Sequence, residues 1–254
     1  MKSSKDDAGP TLEGKVAFVT GGTGAVGQQI CRLLLREGAK VAFSFLKTAD
    51  KAAKMESGLG QAGVNIKGFQ LDVRDKVRLE QVAHEVEESF GGVDILVNNA
   101  GVAQVMPFAL IEEEDWDLMM DVNVKGMFLT TQAFVKGMIR RRRGNIVNVG
   151  SLAGMRVMEV PVHYATAKSA VVGFTLSLAR EIARYNIRVN AVIPGLLEQG
   201  VGTNVPERQQ EEYRRHCTLS RLGTPEEVAE LVVFLASERS GYINAQAIFV
   251  DGGI

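Results

Sequence analysis

Seven short, mostly apolar runs, at 15–20, 40–46, 66–72, 93–98, 145–149, 187–193 and 246–250, alternate with helical patterns at 26–37, 49–59, 76–90, 112–141, 163–184 and 225–236. A strand that faces water on one side alternates polar and apolar residues, whereas a strand buried on both faces reads as a continuous apolar run. Runs such as Val16-Ala17-Phe18-Val19 and Ile95-Leu96-Val97 therefore predict strands covered on both sides. The intervening helices can cover both faces only if the strands are parallel and the crossovers right-handed. The expected fold is α/β: a single-domain, doubly wound parallel sheet of seven strands with helices on both faces.

A chain of 254 residues, 46% of them hydrophobic, fits one large domain. That domain is expected to span 11–254, after a polar, charged tail at 1–10 that is expected to be disordered. Only 196–217 interrupts the alternation. It is polar, contains Gly200, Gly202 and Pro206, and follows a strand end. Ligands in such sheets bind beyond the strand C-termini, so this stretch is expected to form a substrate lid.

The formal net charge is -1, which gives no global signature for nucleic acid or an anionic membrane surface. No apolar run approaches the roughly 18 residues of a membrane span. Cys31 and Cys217 form no disulfide framework, which favours a cytoplasmic setting. No metal site is expected.

The first strand runs into Thr20-Gly21-Gly22-Thr23-Gly24-Ala25-Val26-Gly27 and then a helix. Glycines there permit a tight turn and close backbone approach to phosphate, and the helix N-terminus supplies free N–H groups. Tyr164 and Lys168, four apart on a predicted helix, share a face. An ammonium beside a phenol stabilises the phenolate, so such a pair can move a proton at a substrate oxygen. Ser151 closes the fifth strand, at the same end of the sheet, where its hydroxyl can hold an oxygen that gains charge.

Together these motifs resemble the short-chain dehydrogenase/reductase family, over about 12–254. The family fingerprint is T-G-x-x-x-G-x-G; Thr20, Gly21 and Gly27 match it, and Ala25 stands at the middle glycine. Asn98-Asn99-Ala100-Gly101 matches the family's N-N-A-G, and Pro194-Gly195 its P-G beside the nicotinamide. The resemblance implies a Rossmann-type NAD(P) site and a catalytic set of Asn123, Ser151, Tyr164 and Lys168. Lys168 would also bind the nicotinamide ribose, and Asn123 would support a water connected to it. The implied cofactor contacts are Gly21, Thr23, Gly24, Ala25, Val26 and Gly27 at the phosphates; Ser44, Phe45 and Lys47 at the adenosine ribose; and Asp72 and Val73 at the adenine. Asn99, Ala100, Gly101, Tyr164, Lys168, Pro194, Gly195, Leu197 and Gln199 complete them. Gln199 stands where the family commonly has Thr, and His163 is expected to line the pocket.

Members that prefer NAD carry an acid at the end of the second strand. Phe45 stands there, which favours NADP(H), with NAD(H) the alternative. The overall pattern is similar to the 3-oxoacyl-(acyl-carrier-protein) reductases. It implies reduction of a ketone to a secondary alcohol, on a 3-oxoacyl thioester of acyl carrier protein or coenzyme A. The run Arg140-Arg141-Arg142-Arg143 reads either as a docking patch for an acidic carrier or as cations complementing a helix C-terminus. Polyketide, sugar, steroid or small-alcohol substrates stay open, as does a non-catalytic nucleotide-binding subunit. The resemblance also implies a homotetramer packed through 112–141 and 163–184, with Met127, Phe128, Val171, Phe174 and Leu178 as its apolar surface.

Overall fold

The computed structural model describes residues 11–59, 66–156, 158–200, 203 and 205–254. The tail expected at 1–10 lies outside the described residues, as do three positions of the expected lid, 201, 202 and 204. The strands are β1 (Val16–Val19), β2 (Lys40–Phe45), β3 (Ile66–Gln70), β4 (Ile95–Asn98), β5 (Gly144–Val149), β6 (Ile187–Pro194) and β7 (Ala247–Val250). The helices are α1 (Ala25–Arg36), α2 (Ala49–Leu59), α3 (Lys76–Phe90), α4 (Glu113–Met120), α5 (Gly126–Arg141), α6 (Val162–Ile182), α7 (Glu207–His216) and α8 (Pro225–Ala236). The seven strands pair in the order β3-β2-β1-β4-β5-β6-β7, and every pairing is parallel.

Side chains leave a strand alternately to its two faces, so each apolar run supplies two cores at once. Ala17, Val19, Val41, Phe43, Ile95 and Val97 enter one core with residues of α1, α2 and α8. Val16, Phe18, Ala42 and Leu96 enter the other, with residues of α3, α5 and α6. Phe18 stacks on Phe134 of α5 with ring centroids 4.4 Å apart. Two asparagines inside this sheet bridge neighbouring elements. Asn98 Nδ2 donates to Asn148 Oδ1 at 2.8 Å, and Asn148 Nδ2 donates to Thr175 Oγ1 at 2.9 Å. β4, β5 and α6 are thereby tied at the level where the site begins.

Two elements differ from the sequence expectation. The single helix expected over 112–141 is interrupted by a π-helical turn, Asp121–Lys125. The cause is Asn123, which is buried and whose Nδ2 donates to Met119 O at 3.0 Å. That carbonyl is the normal i−4 acceptor of the residue's own amide, so the ladder shifts by one and Gly126 N–H reaches Asp121 O. The stretch 196–217, expected to be a loop, contains α7. Its sequence Glu-Arg-Gln-Gln-Glu-Glu-Tyr-Arg-Arg-His lacks an apolar stripe, and only Tyr213 is buried. Ion pairs from Arg214 to Glu207 and Glu211, at 3.0 and 3.2 Å, support it instead.

Candidate active site

β1 and β4 are neighbours in the sheet, but their chains continue to opposite sides, which opens a crevice at their C-terminal ends. Thr20 stitches that point. Its Oγ1 accepts from the N–H groups of Asn99 and Ala100, both at 2.9 Å. Asn99 Nδ2 donates to the carbonyls of Thr20 and Gly21 at 3.0 and 3.1 Å. The Asn-Asn-Ala-Gly stretch and the glycine-rich turn are one hydrogen-bonded unit.

The turn itself requires glycine in two ways. Gly21 has φ +64, a conformation that side chains disfavour. A Cβ on Gly27 would strike Gly21 O and come within 2.8 Å of Gly22 Cα. Gly24 caps α1 in extended conformation and offers no side chain to its free N–H groups. The result is an uncapped helix N-terminus behind a close-packed glycine turn, a seat for a dinucleotide pyrophosphate. Ala25, at the middle-glycine position, opens this helix, and its methyl lies 3.3 Å from where a Cβ on Gly200 would stand.

Several expected cofactor contacts are placed differently from the sequence reading. Ser44 is buried, and its Oγ accepts from Gly21 N–H at 3.2 Å, so it braces the turn from beneath rather than facing a ribose. The side chains of Val73 and Leu197 are buried. Asp72 is gripped by Arg74 at 2.6 Å, which holds its carboxyl below the usual range. Thr23 is buried, its hydroxyl accepting from Thr48 at 2.7 Å. Phe45 is half-buried at the end of β2, with Lys47 exposed beyond it, and no acid stands between them. Gln199 is exposed. Pro194 ends β6, and a Cβ on Gly195 would strike the Tyr213 hydroxyl, which donates to Asp251 O at 2.7 Å. Burial pushes that phenol up to about 12. Sequence reasoning missed Tyr213, although a lone aromatic residue in a polar helix was the available signal. His163 is fully buried, so it lines no open pocket.

The structure brings Asn123, Ser151, Tyr164 and Lys168 together at the C-terminal end of β4 and β5. The π turn fixes Asn123, whose Oδ1 accepts from Val102 N–H at 3.3 Å and whose Nδ2 donates to Val102 O at 3.0 Å. Ser151 Oγ accepts from Ala153 N–H at 3.1 Å. Burial raises the Tyr164 phenol, while its hydrogen bond with Ser151 pulls the other way. Burial outweighs that bond, so the phenol stands above its ordinary value. Lys168 Nζ lies 5.9 Å from the centre of the Tyr164 ring and donates to Val149 O at 3.2 Å. Burial pushes its ammonium down to about 8. An internal cavity of about 10 Å³, lined by Thr20, Asn98, Asn123 and Lys168 among others, adjoins it.

The arginine run lies elsewhere. Arg140–Arg143 closes α5 and precedes the N-terminal end of β5, whereas Ser151 follows its C-terminal end. The six-residue strand between them spans roughly 20 Å. Arg141 donates to Val93 O at 2.6 Å, Arg142 to Arg184 O at 2.9 Å, and Arg143 pairs with Asp94 at 2.8 Å. These bonds tie the run to the start of β4 and the end of α6, away from the site. Among the described residues, no helix is long and apolar enough to cross a membrane.

A family model described as enoyl-(acyl carrier protein) reductase matches residues 22–254. A solved double mutant of a Serratia marcescens short-chain dehydrogenase/reductase superposes with a TM-score of 0.89 at 34% identity, covering 96% of this chain and 98% of that one. The chain belongs to the short-chain dehydrogenase/reductase family. It is therefore an oxidoreductase that binds a nicotinamide cofactor, and the glycine turn and uncapped helix fit that group. The 3-oxoacyl-(acyl-carrier-protein) reductase of Thermotoga maritima is 38% identical over 243 residues, 96% of this chain and 98% of its own length. Nodulation protein G of Rhizobium meliloti is 36% identical over the same shares.

The buried lysine has a measurable consequence. Its folded pKa of about 8 lies below the 10.5 of an exposed lysine, so protonation opposes folding. The cost is fully present below pH 8 and is relieved as pH rises from 8 to 10.5. At 1.36 kcal/mol per pKa unit it amounts to about 3 kcal/mol. Lys168→Met should therefore unfold at a higher temperature than the wild type at pH 7. Calorimetry across pH 7 to 10.5 should show that advantage shrinking.

Proposed function

We propose that this enzyme uses NADPH to reduce the ketone of a 3-oxoacyl thioester, carried on acyl carrier protein or coenzyme A, to a secondary alcohol. The observation that carries the reading is the convergence of Ser151, Tyr164 and Lys168 beside the crevice between β1 and β4. The printed activity of the Thermotoga maritima relative supports the substrate class. When bound, the cofactor supplies the hydride. Ser151 and Tyr164 hold the carbonyl oxygen as its charge grows. Tyr164, whose phenol is raised by burial, is protonated at neutral pH and gives its proton to that oxygen. Lys168 stands behind the ring with its ammonium desolvated, a proton source for restoring the phenol. The adjoining cavity has about the volume that one water needs, so Asn123 and Lys168 can share a water there.

Tyr164→Phe keeps the ring and removes the acid. Turnover on acetoacetyl-CoA should fall roughly 10²–10⁴-fold, with NADPH binding little changed. Full activity in that variant would refute the assignment.

The preference for NADP(H) rests on Phe45 and Lys47. A carboxylate at the end of β2 would repel a 2′-phosphate and accept from a 2′-hydroxyl. Phe45→Asp should therefore raise the ratio of NADH to NADPH affinity, measured by fluorescence titration of both cofactors. A wild type that binds NADH more tightly would overturn the preference.

The proposed assembly is a homotetramer packed through the outer faces of α5 and α6. Met127 and Val171, expected on that surface, are buried within the monomer. Phe128 and Leu176 remain, each 44% exposed, with Phe174 and Leu178 half-buried beside them. A C-β on Gly173 would meet open space, which leaves room for a closely packed helix from a second copy. Light scattering at micromolar concentration should give four times the 27.5 kDa chain mass; a monomeric mass would refute the packing.

A further inference from the structure

His163 immediately precedes Tyr164 and is 0% exposed. Its Nε2 lies 3.1 Å from Oε1 of Gln104, in the loop between β4 and α4. Gln104 donates from Nε2 to Asp115 Oδ1 at 2.8 Å. A carboxylate only accepts, so the amide nitrogen faces Asp115 and the amide oxygen faces His163. That order fixes the imidazole as well: the proton sits on Nε2, and Nδ1 keeps a bare lone pair. Among the described residues, Nδ1 has no hydrogen-bond partner. Burial lowers the pKa of the ring more than Asp115 raises it, which keeps it neutral.

A buried polar atom without a partner is costly, and an apolar side chain could fill the same space. The bond between His163 and Gln104 joins three parts of the site. Asp115 is the third residue of α4 and completes its capping box with Glu112. Gln104 lies two residues beyond Val102, whose N–H and carbonyl are both held by Asn123. His163 lies in the first turn of α6, the helix that carries Tyr164 and Lys168.

We propose that Gln104 is a positioning residue, which locks the first turn of α6 to the loop after β4 through Asp115 and His163 and so sets the Tyr164 hydroxyl against Ser151 and the incoming carbonyl. The proposal rests on Tyr164 as the general acid and not on the identity of the ketone. Gln104 touches no reacting atom in this arrangement; it acts through His163.

The test compares Gln104→Leu, His163→Leu, the double variant and His163→Gln, with NADPH and acetoacetyl-CoA. A glutamine at 163 sets an amide N–H near the place of the imidazole Nε2–H, so it keeps the bond. Gln104 is a half-exposed loop residue, so its variant reports even if a buried leucine at 163 disturbs folding. Each leucine variant should lose about 10- to 100-fold in kcat, the scale of a small misplacement of a reacting group. KM for NADPH should hardly move. The double variant should be no worse than the worse single, because both remove one interaction. His163→Gln should recover most of the turnover. Wild-type kcat in Gln104→Leu, or losses that multiply in the double variant, would overturn the proposal. If the wild type leaves acetoacetyl-CoA unreduced, the substrate reading fails and a second measurement decides the positioning. Burial raises the Tyr164 phenol and its hydrogen bond with Ser151 lowers it, with the Lys168 ammonium 5.9 Å from the ring centre, so displacement of the phenol must shift its ionisation. Ultraviolet titration of the phenolate, with Tyr164→Phe as the blank, should show a shifted midpoint in Gln104→Leu. An unchanged midpoint would overturn the proposal whatever the enzyme reduces.

Discussion

The Thr20 hydroxyl holds the molecule together where the sheet parts. β1 and β4 must separate at their ends because their connections leave in opposite directions. Two backbone N–H groups from the β4 exit converge on this one oxygen, and Asn99 returns two bonds to the β1 exit. Without that closure, the buried end of the crevice would carry unpaired backbone groups, which a protein interior does not tolerate cheaply. The glycine turn on one side and the Val102 loop on the other both hang from it. The dinucleotide seat and the proton-moving groups therefore share one rigid reference point.

The fold was legible in the sequence because burial on both faces leaves a direct imprint, an apolar run for each strand. The glycine turn, Ser151 and Pro194-Gly195 could be placed from the sequence because they lie at strand ends, and Tyr164 and Lys168 because their spacing sets them on one helix face. For Ser44, a hydroxyl near a ribose position is chemically plausible in either direction, and only the three-dimensional fold shows it accepting from Gly21 N–H. α7 was missed because its stability comes from Arg–Glu pairs and one tyrosine, not from an apolar stripe. The π turn left no periodic trace, since it comes from the competition of one side chain with the backbone. The contact between Gln104 and His163 joins residues 59 apart and carries no motif.

Function and stability pull against each other at α6. Lys168 and His163 lie on neighbouring turns, both buried, the first with its ammonium desolvated and the second with a bare nitrogen. Local chemistry alone would place apolar residues at both positions. Where a chain keeps such groups inside, the compensation comes from elsewhere in the molecule. Here the two apolar cores provide it, with large residues such as Phe18, Phe43, Ile30 and Met138 fully enclosed.

The turn at Asp121–Lys125 carries one residue more than an α-helical turn, and each residue of a helix advances by roughly 100°. It thus sets the angular phase between α4 and α5. In the present phase Phe134 and Met138 face the core while Phe128 faces outward. Loss of a single residue there would leave every side chain of α5 chemically unchanged and still rotate the whole stripe about its axis. Chain length at this point works as a dial, which assigns one set of residues to the interior and another to the outer surface.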